Sequence, residues 1–291
     1  SASERVIKMT QTIEDIILDH DKRGVALLRP HMPADFCSQA AQYIMDHPGN
    51  VAIVTGFYIL SAGSPETDGP AGAIAIGRAL QALGRRVTYI TDSYTVPVLE
   101  GLLEDGTEVV DFPIADIETS RKASSEILER LDLSLIISIE RCSRTNDDAY
   151  LNMRYVDITP HTARLDYLFE AGIPSVGIGD GGNEIGMGNL VEFIPQVETL
   201  PNDPAVTKVD RLIISSVSNW GGYGLVAALS GLAGRNLLPT IEGETKVIQK
   251  SVDMGAVDGT TGEREYYVDG FTTEENGVLL ARLHAVVERS G

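Results

Sequence analysis

The chain has 291 residues and a formal charge of -19, from 42 acidic and 23 basic side chains. A surface of that sign repels a nucleic-acid duplex and an anionic membrane, so neither is expected as a partner. Its 43% hydrophobic content suffices for a packed core, its longest apolar runs, such as 51–60, are too short to span a bilayer, and no signal stretch is expected at its start.

The first fifty residues read as helical. Ile13, Ile16 and Ile17 share one face, and a second helix starts at Pro33 with Phe36, Ala40, Tyr43 and Ile44 as its stripe, stopping near Asp46. The pattern then changes. A continuous apolar run at 51–57 predicts a strand buried on both faces. A loop leads to a helix from Pro70 to Leu83, followed by strand 86–92, helix 95–105, strand 107–112, helix 120–131 and strand 133–140. Beyond a polar loop, 163–172 reads as a helix and 174–179 as a strand, 210–220 holds one more strand, and Gly221 to Gly234 reads as a small-residue helix. A helix over 245–255, a hairpin within 256–271 and a closing helix over 276–290 end the chain. Strands alternating with helices at this spacing predict a single α/β domain over 1–291. It is doubly wound, with a mostly parallel sheet, helices on both faces, an N-terminal helical segment and a C-terminal hairpin plus helix.

Ligands of such sheets bind beyond the carboxyl ends of the strands. The residues there are Thr55-Gly56, Asp92, Glu140-Arg141, Gly179-Asp180 and Ser218-Asn219-Trp220. The densest stretch is GIGDGGNEIGMGN, 177–189. Gly177, Gly179 and Gly182 satisfy G-x-G-x-x-G, yet Gly186, Gly188 and three later prolines disfavour the long helix of a dinucleotide site. Two readings stay open: a loop presenting Asp180, Asn183 and Glu184 to a cleft, or a turn whose acids cap nearby amides. In 64–73, the amides near Gly69 precede a Pro-opened helix and suit an anion, while Asp68 is either catalytic or that helix's cap. In 140–159, Arg141, Arg144 and Arg154 offer forks for carboxylates, Arg141 being best placed, unless the loop is a surface ion-pair network. The five histidines fall on no predicted strand end, Cys37 and Cys142 lack zinc-like spacing, and Cys142 lacks an obvious base. A histidine triad and a thiol nucleophile are therefore disfavoured, and free thiols in a reducing compartment are expected.

Taken in order, TGF (55–57), ETDGPAGA (66–73), LNMR..DIT (151–159), GIGDGGNEIGMG (177–188), SNWGGYGL (218–225) and GAVDG (255–259) resemble the D-glutamate cyclase family, matching its catalytic C-terminal domain. The resemblance covers nearly the whole chain. It implies a hydro-lyase that converts D-glutamate to 5-oxo-D-proline and water. Larger mitochondrial members carry an extra N-terminal domain that these residues are expected to lack, so a cytoplasmic location is expected.

Cyclisation needs a base for the amine, an acid for the departing oxygen and a polarised γ-carboxylate, which paired carboxylates and arginine or loop amides can supply. On this reading Asp180 and Glu184 are the base and its orienting or metal-holding partner, and Asp68 is the acid. Thr55, Gly56, Thr67, Gly69, Arg141, Asn183 and Asn219 bind substrate; Asp92, Glu140 and Arg154 are second choices. No cofactor is required by the sequence, although carboxylate-bound magnesium or manganese is compatible with it. The alternatives are a hydrolase of a small lactam or amide and a non-catalytic sensor of small acids. A homo-oligomer is the default expectation.

Overall fold

The computed structural model describes residues 11–291; residues 1–10, on which the expectation about a signal stretch falls, lie outside the described residues. Six strands build the central sheet: β1 Val51–Thr55, β2 Val87–Thr91, β3 Val109–Asp111, β4 Leu135–Ile139, β5 Ser175–Gly179 and β6 Arg211–Ile214. They lie in the order β3-β2-β1-β4-β5-β6, and every neighbouring pair is parallel. β1, β2, β4 and β5 bury every residue, as strands covered on both faces must, and this explains their continuous apolar sequences. The sheet's order reverses between β1 and β4, so a crevice opens beyond their carboxyl ends.

The helices are α1 Ile13–Ile17, α2 Phe36–Asp46, α3 Pro70–Ala82, α4 Val96–Leu102, α5 Ile117–Leu131, α6 Ser218–Ala233, α7 Ile241–Asp253 and α8 Thr273–Arg289. None of the described helices is long and apolar enough to cross a membrane. α3 and α6 pack backbone against backbone. A Cβ on Gly222 would lie 3.2 Å from Gly72 Cα, which explains the small residues of PAGAIAIG and SNWGGYGL. This approach brings the N-termini of both helices together near the crevice.

Three expectations change. α6 starts at Ser218, so Ser218-Asn219-Trp220 form its first turn instead of a loop after a strand. The helix expected over 163–172 is a 3₁₀ segment, Leu165–Phe169. Buried Asp166 ties it to the preceding loop, accepting from the Tyr150 hydroxyl at 2.5 Å and the Arg144 amide at 3.1 Å. The C-terminal hairpin shrinks to a ladder of Tyr267–Val268 with Phe271–Thr272, and α8 follows it directly.

Candidate active site

The two helix N-termini cap each other. Asn219 Oδ1 accepts from the Gly69 amide at 2.8 Å and the Gly72 amide at 2.9 Å, closing the start of α3. Asp68 accepts from the Ser218 amide at 3.0 Å and the Asn219 amide at 2.7 Å, closing the start of α6. Asp68 is thus a cap, but of α6 and not of the helix that follows it in sequence. Gly69 has φ +117°, and a Cβ there would sit 2.7 Å from Thr55 Oγ1, so glycine lets this loop close onto β1.

After β5 the glycine-rich run folds around one of its own carboxylates. Glu184 Oε2 accepts from the Asp180 and Gly181 amides at 2.7 and 2.9 Å, and Oε1 from the Gly182 amide at 2.7 Å. The capping-turn reading therefore describes Glu184, whereas Asp180 has another partner. Only a 3₁₀ segment, Met187–Leu190, follows the run, so its glycines do not open the long helix a dinucleotide would need.

Around this frame lies a buried group of acids. Asp68, Glu140, Asp180 and Glu184 are each no more than 3% exposed, and Glu66 and Asp269 join them at 5% and 6%. Carboxyl oxygens of Asp68, Asp180 and Asp269 lie within 4.8 Å of one another, and so do those of Glu140, Asp180 and Glu184. The three expected catalytic acids share one locus with the second choice, Glu140.

The cation facing them is Arg23, on the segment between α1 and α2. Its Nη1 donates to Asp180 Oδ1 at 2.8 Å, and its Nη2 lies 3.5 Å from Asp269 Oδ1. The Asp21 carboxylate sets this segment by accepting the amides of Arg23, Gly24 and Ala26. Glu140 makes its turn off β4 at φ +46°, a conformation that disfavours a side chain, and it accepts the Ser218 hydroxyl.

Burial dominates the protonation of the group. It pushes Glu66 and Glu140 well above the usual carboxylate range. The charge of Glu140 adds to the effect on Glu66, and that of Glu184 to the effect on Glu140. Asp180 is raised by burial although Arg23 opposes the shift, and Asp68 is pushed up to about 7 by burial and then by Asp269.

A cavity of ≈ 300 Å³ opens onto this group. Arg23, Glu66, Glu140, Gly181 and Asn183 line its polar side; Phe57, Tyr58, Leu200 and Pro201 supply apolar wall, and the exposed loop 152–156, with Arg154, contributes to the lining. Asn183 and Arg154 thus line the cleft.

Other expected site residues are engaged elsewhere. Arg141 is 1% exposed and does not line the cavity. It donates to Gly56 O at 2.9 Å, to Asp92 at 2.6 Å and to Ala163 O at 2.9 Å, so Arg141, Gly56 and Asp92 brace the sheet's end against the 163 loop. The expectation of Arg141 in the cleft is corrected on that geometry. The Thr67 hydroxyl donates to Tyr267 O at 2.6 Å, and Gly69 and Asn219 satisfy one another, which removes the expected anion site at Gly69. Thr55 Oγ1 is buried without a hydrogen-bond partner. Cys142 is buried, and burial pushes its thiol up.

Three residues were not singled out from the sequence. Glu66 sits two positions before Asp68 in a stretch already conspicuous, and Asp269 occupies an Asp-Gly turn that signals a hairpin. Arg23 had no signal: it follows no strand, and it meets Asp180 across 157 positions.

Residues 13–284 match the family described as D-glutamate cyclase-like, C-terminal. The human protein named D-glutamate cyclase, mitochondrial, is 31% identical over 253 residues, covering 79% of this chain and 39% of its own length. The chain therefore spans about two-fifths of that relative. A crystal structure of an exopolyphosphatase-related protein from Bacteroides fragilis superposes with a TM-score of 0.43 at 8% identity, over 89% of this chain and 60% of that one, a likeness too low to carry an argument. Because the match runs along almost the whole chain and takes in every loop that builds the acid group, this chain belongs to the D-glutamate cyclase-like family and corresponds to its C-terminal region.

Proposed function

We propose that the chain is a hydro-lyase that closes D-glutamate to 5-oxo-D-proline in the cavity beyond β1 and β4. The observation that carries this reading is the lining of a single chamber: two arginines, Arg23 and Arg154, and two buried acids, Glu66 and Glu140. Two cations suit the two carboxylates of the substrate, and the acids suit its ammonium group. At ≈ 300 Å³ the chamber has the size of a small-ligand site.

The reaction moves two protons from nitrogen to the departing oxygen. The bond between the nitrogen and the γ-carboxyl carbon forms, one carbon–oxygen bond of that carboxyl breaks, and the oxygen leaves as water. Glu66 and Glu140 are both raised by burial, and the charge of Glu140 raises Glu66 further, so the two favour one protonated and one ionised member. The ionised member takes a proton from the ammonium group, and the protonated member delivers its proton to the γ-carboxyl oxygen. A second transfer through the same pair completes the water and restores the starting state. Arg23 holds the carboxylate that reacts, steadied by Asp180 and Asp269 behind it. Glu184 and Asp68 hold the amides that shape the floor. Folding the substrate so that amine meets carboxyl supplies much of the rate, because the reaction is intramolecular. Its balance needs no redox group or nucleotide.

Chiral chromatography of incubations with D-glutamate, L-glutamate and 5-oxoproline tests the reading. The expected result is 5-oxo-D-proline from D-glutamate, with turnover lowered by roughly 100-fold or more in Glu66→Gln and Glu140→Gln. No lactam from either glutamate, or turnover unchanged in both variants, rejects it.

A further inference from the structure

The acid group holds more carboxyl groups than the one cation paired with it among the described residues can balance. Glu66, Asp68, Glu140, Asp180, Glu184 and Asp269 are all buried, and Arg23 is the guanidinium paired with them. The acids are not equally satisfied. The oxygens of Glu184 are saturated by amides. By contrast, Asp180 Oδ2 and Asp269 Oδ2 have no hydrogen-bond donor among the described residues, and Asp269 Oδ1 has only the Arg23 guanidinium 3.5 Å away, although these residues are 1% and 6% exposed. Buried carboxylate oxygens without a partner are costly, and proteins retain them where a cation or a proton completes the site.

The unpartnered oxygens belong to the triangle of Asp68, Asp180 and Asp269, whose ligand atoms lie within 4.8 Å of one another. Each Asp68 oxygen accepts one amide and keeps a lone pair. Asp180 points Oδ1 at Arg23, which leaves Oδ2 for another partner. The neighbouring triangle of Glu140, Asp180 and Glu184 is the poorer candidate, because Glu184 has no acceptor to spare. The donors are oxygens only, without histidine or thiolate, and such a set suits hard cations over zinc or copper.

We propose that Asp68, Asp180 and Asp269 form a binding site for one hard divalent cation of the magnesium or manganese class. The site stands whether or not the lactam chemistry does, because the test reads metal uptake and not turnover. Asp269 is the ligand to vary: it holds φ +50° in an Asp-Gly turn, and asparagine tolerates that backbone with nearly the same shape.

The whole chain, stripped with a chelator, is titrated with Mn²⁺ and free ion is followed by electron paramagnetic resonance. The expected result is uptake of one ion per chain, weakened roughly 10-fold or more in Asp269→Asn and unchanged in Glu118→Gln on the exposed face of α5. Mn²⁺ also raises the melting temperature of the wild type and not of Asp269→Asn. No uptake at millimolar Mn²⁺, or equal uptake by wild type and Asp269→Asn, overturns the site. The first outcome assigns the triangle to shared protons, and the second assigns the ion to another set of acids. Asp180→Asn serves as a second ligand variant, read only if its circular dichroism matches that of the wild type.

Discussion

Two arginine–aspartate pairs flank the crevice, and they differ in everything except chemistry. Arg141–Asp92 lies toward β2 at 2.6 Å, with side chains 1% and 3% exposed, and Arg141 also holds two carbonyls. Arg23–Asp180 lies toward β5 at 2.8 Å, with Arg23 23% exposed and lining the cavity. The first pair is enclosed by its own backbone partners and locks the end of the sheet. The second keeps one face of its guanidinium toward open volume, and a ligand can use it. Sealed backbone partners make a brace, and an open face makes a binding group.

The sharpest way to break the comparison is to remove each arginine. Arg141→Met leaves Asp92 buried without its cation, and unfolding free energy in urea is expected to fall by about 3–5 kcal/mol. Arg23→Met is expected to leave stability far less changed. The Asp180 carboxyl is already raised by burial, so it takes a proton once Arg23 no longer opposes the shift. Its effect should appear in lactam formation, with kcat/KM lower by roughly 100-fold, the loss of a charge-assisted contact of about 2–3 kcal/mol. If Arg23→Met costs as much stability as Arg141→Met and leaves turnover intact, the contrast between brace and binding group fails.

A third buried acid sharpens the comparison from the other side, because among the described residues it has no direct ion pair. Burial pushes Glu244 up to about 7, and the Tyr223 hydroxyl donates to it at 2.6 Å. A raised carboxyl binds its proton more tightly when folded, so its contribution is fully present below the unfolded value of 4.5 and is lost as pH rises through about 7. The stability difference between wild type and Glu244→Gln, measured by urea melts at pH 5 and pH 8, should shift by on the order of 2–3 kcal/mol against the wild type. A constant difference across that range removes the assignment.

Much of the fold was legible because burial leaves a local trace. VAIVT, VTYIT and LIISI are short, predominantly apolar runs, the pattern that strands covered on both faces need. The glycine-acid run after β5 was legible for the same reason, since Asp180, Gly181 and Gly182 wrap a residue only a few positions away. The start of α6 was not, because a serine, an asparagine and a tryptophan there suit a loop equally well, and the cap that fixes the helix comes from Asp68, 150 positions earlier. Arg141 was misplaced for a related reason. A position just after a strand says that a residue reaches the crevice's rim, but not which side it faces.

By itself, the order of residues determined the alternation of strands and helices, the parallel sheet and the loops at its carboxyl ends, because periodicity and glycine act within a few residues of one another. Tertiary structure alone decided which polar groups remain open. Asp68 with Asn219 and Arg23 with Asp180 are contacts across 151 and 157 positions. Whether a carboxylate caps a helix or awaits a ligand depends on which distant donors the packed helices bring to it.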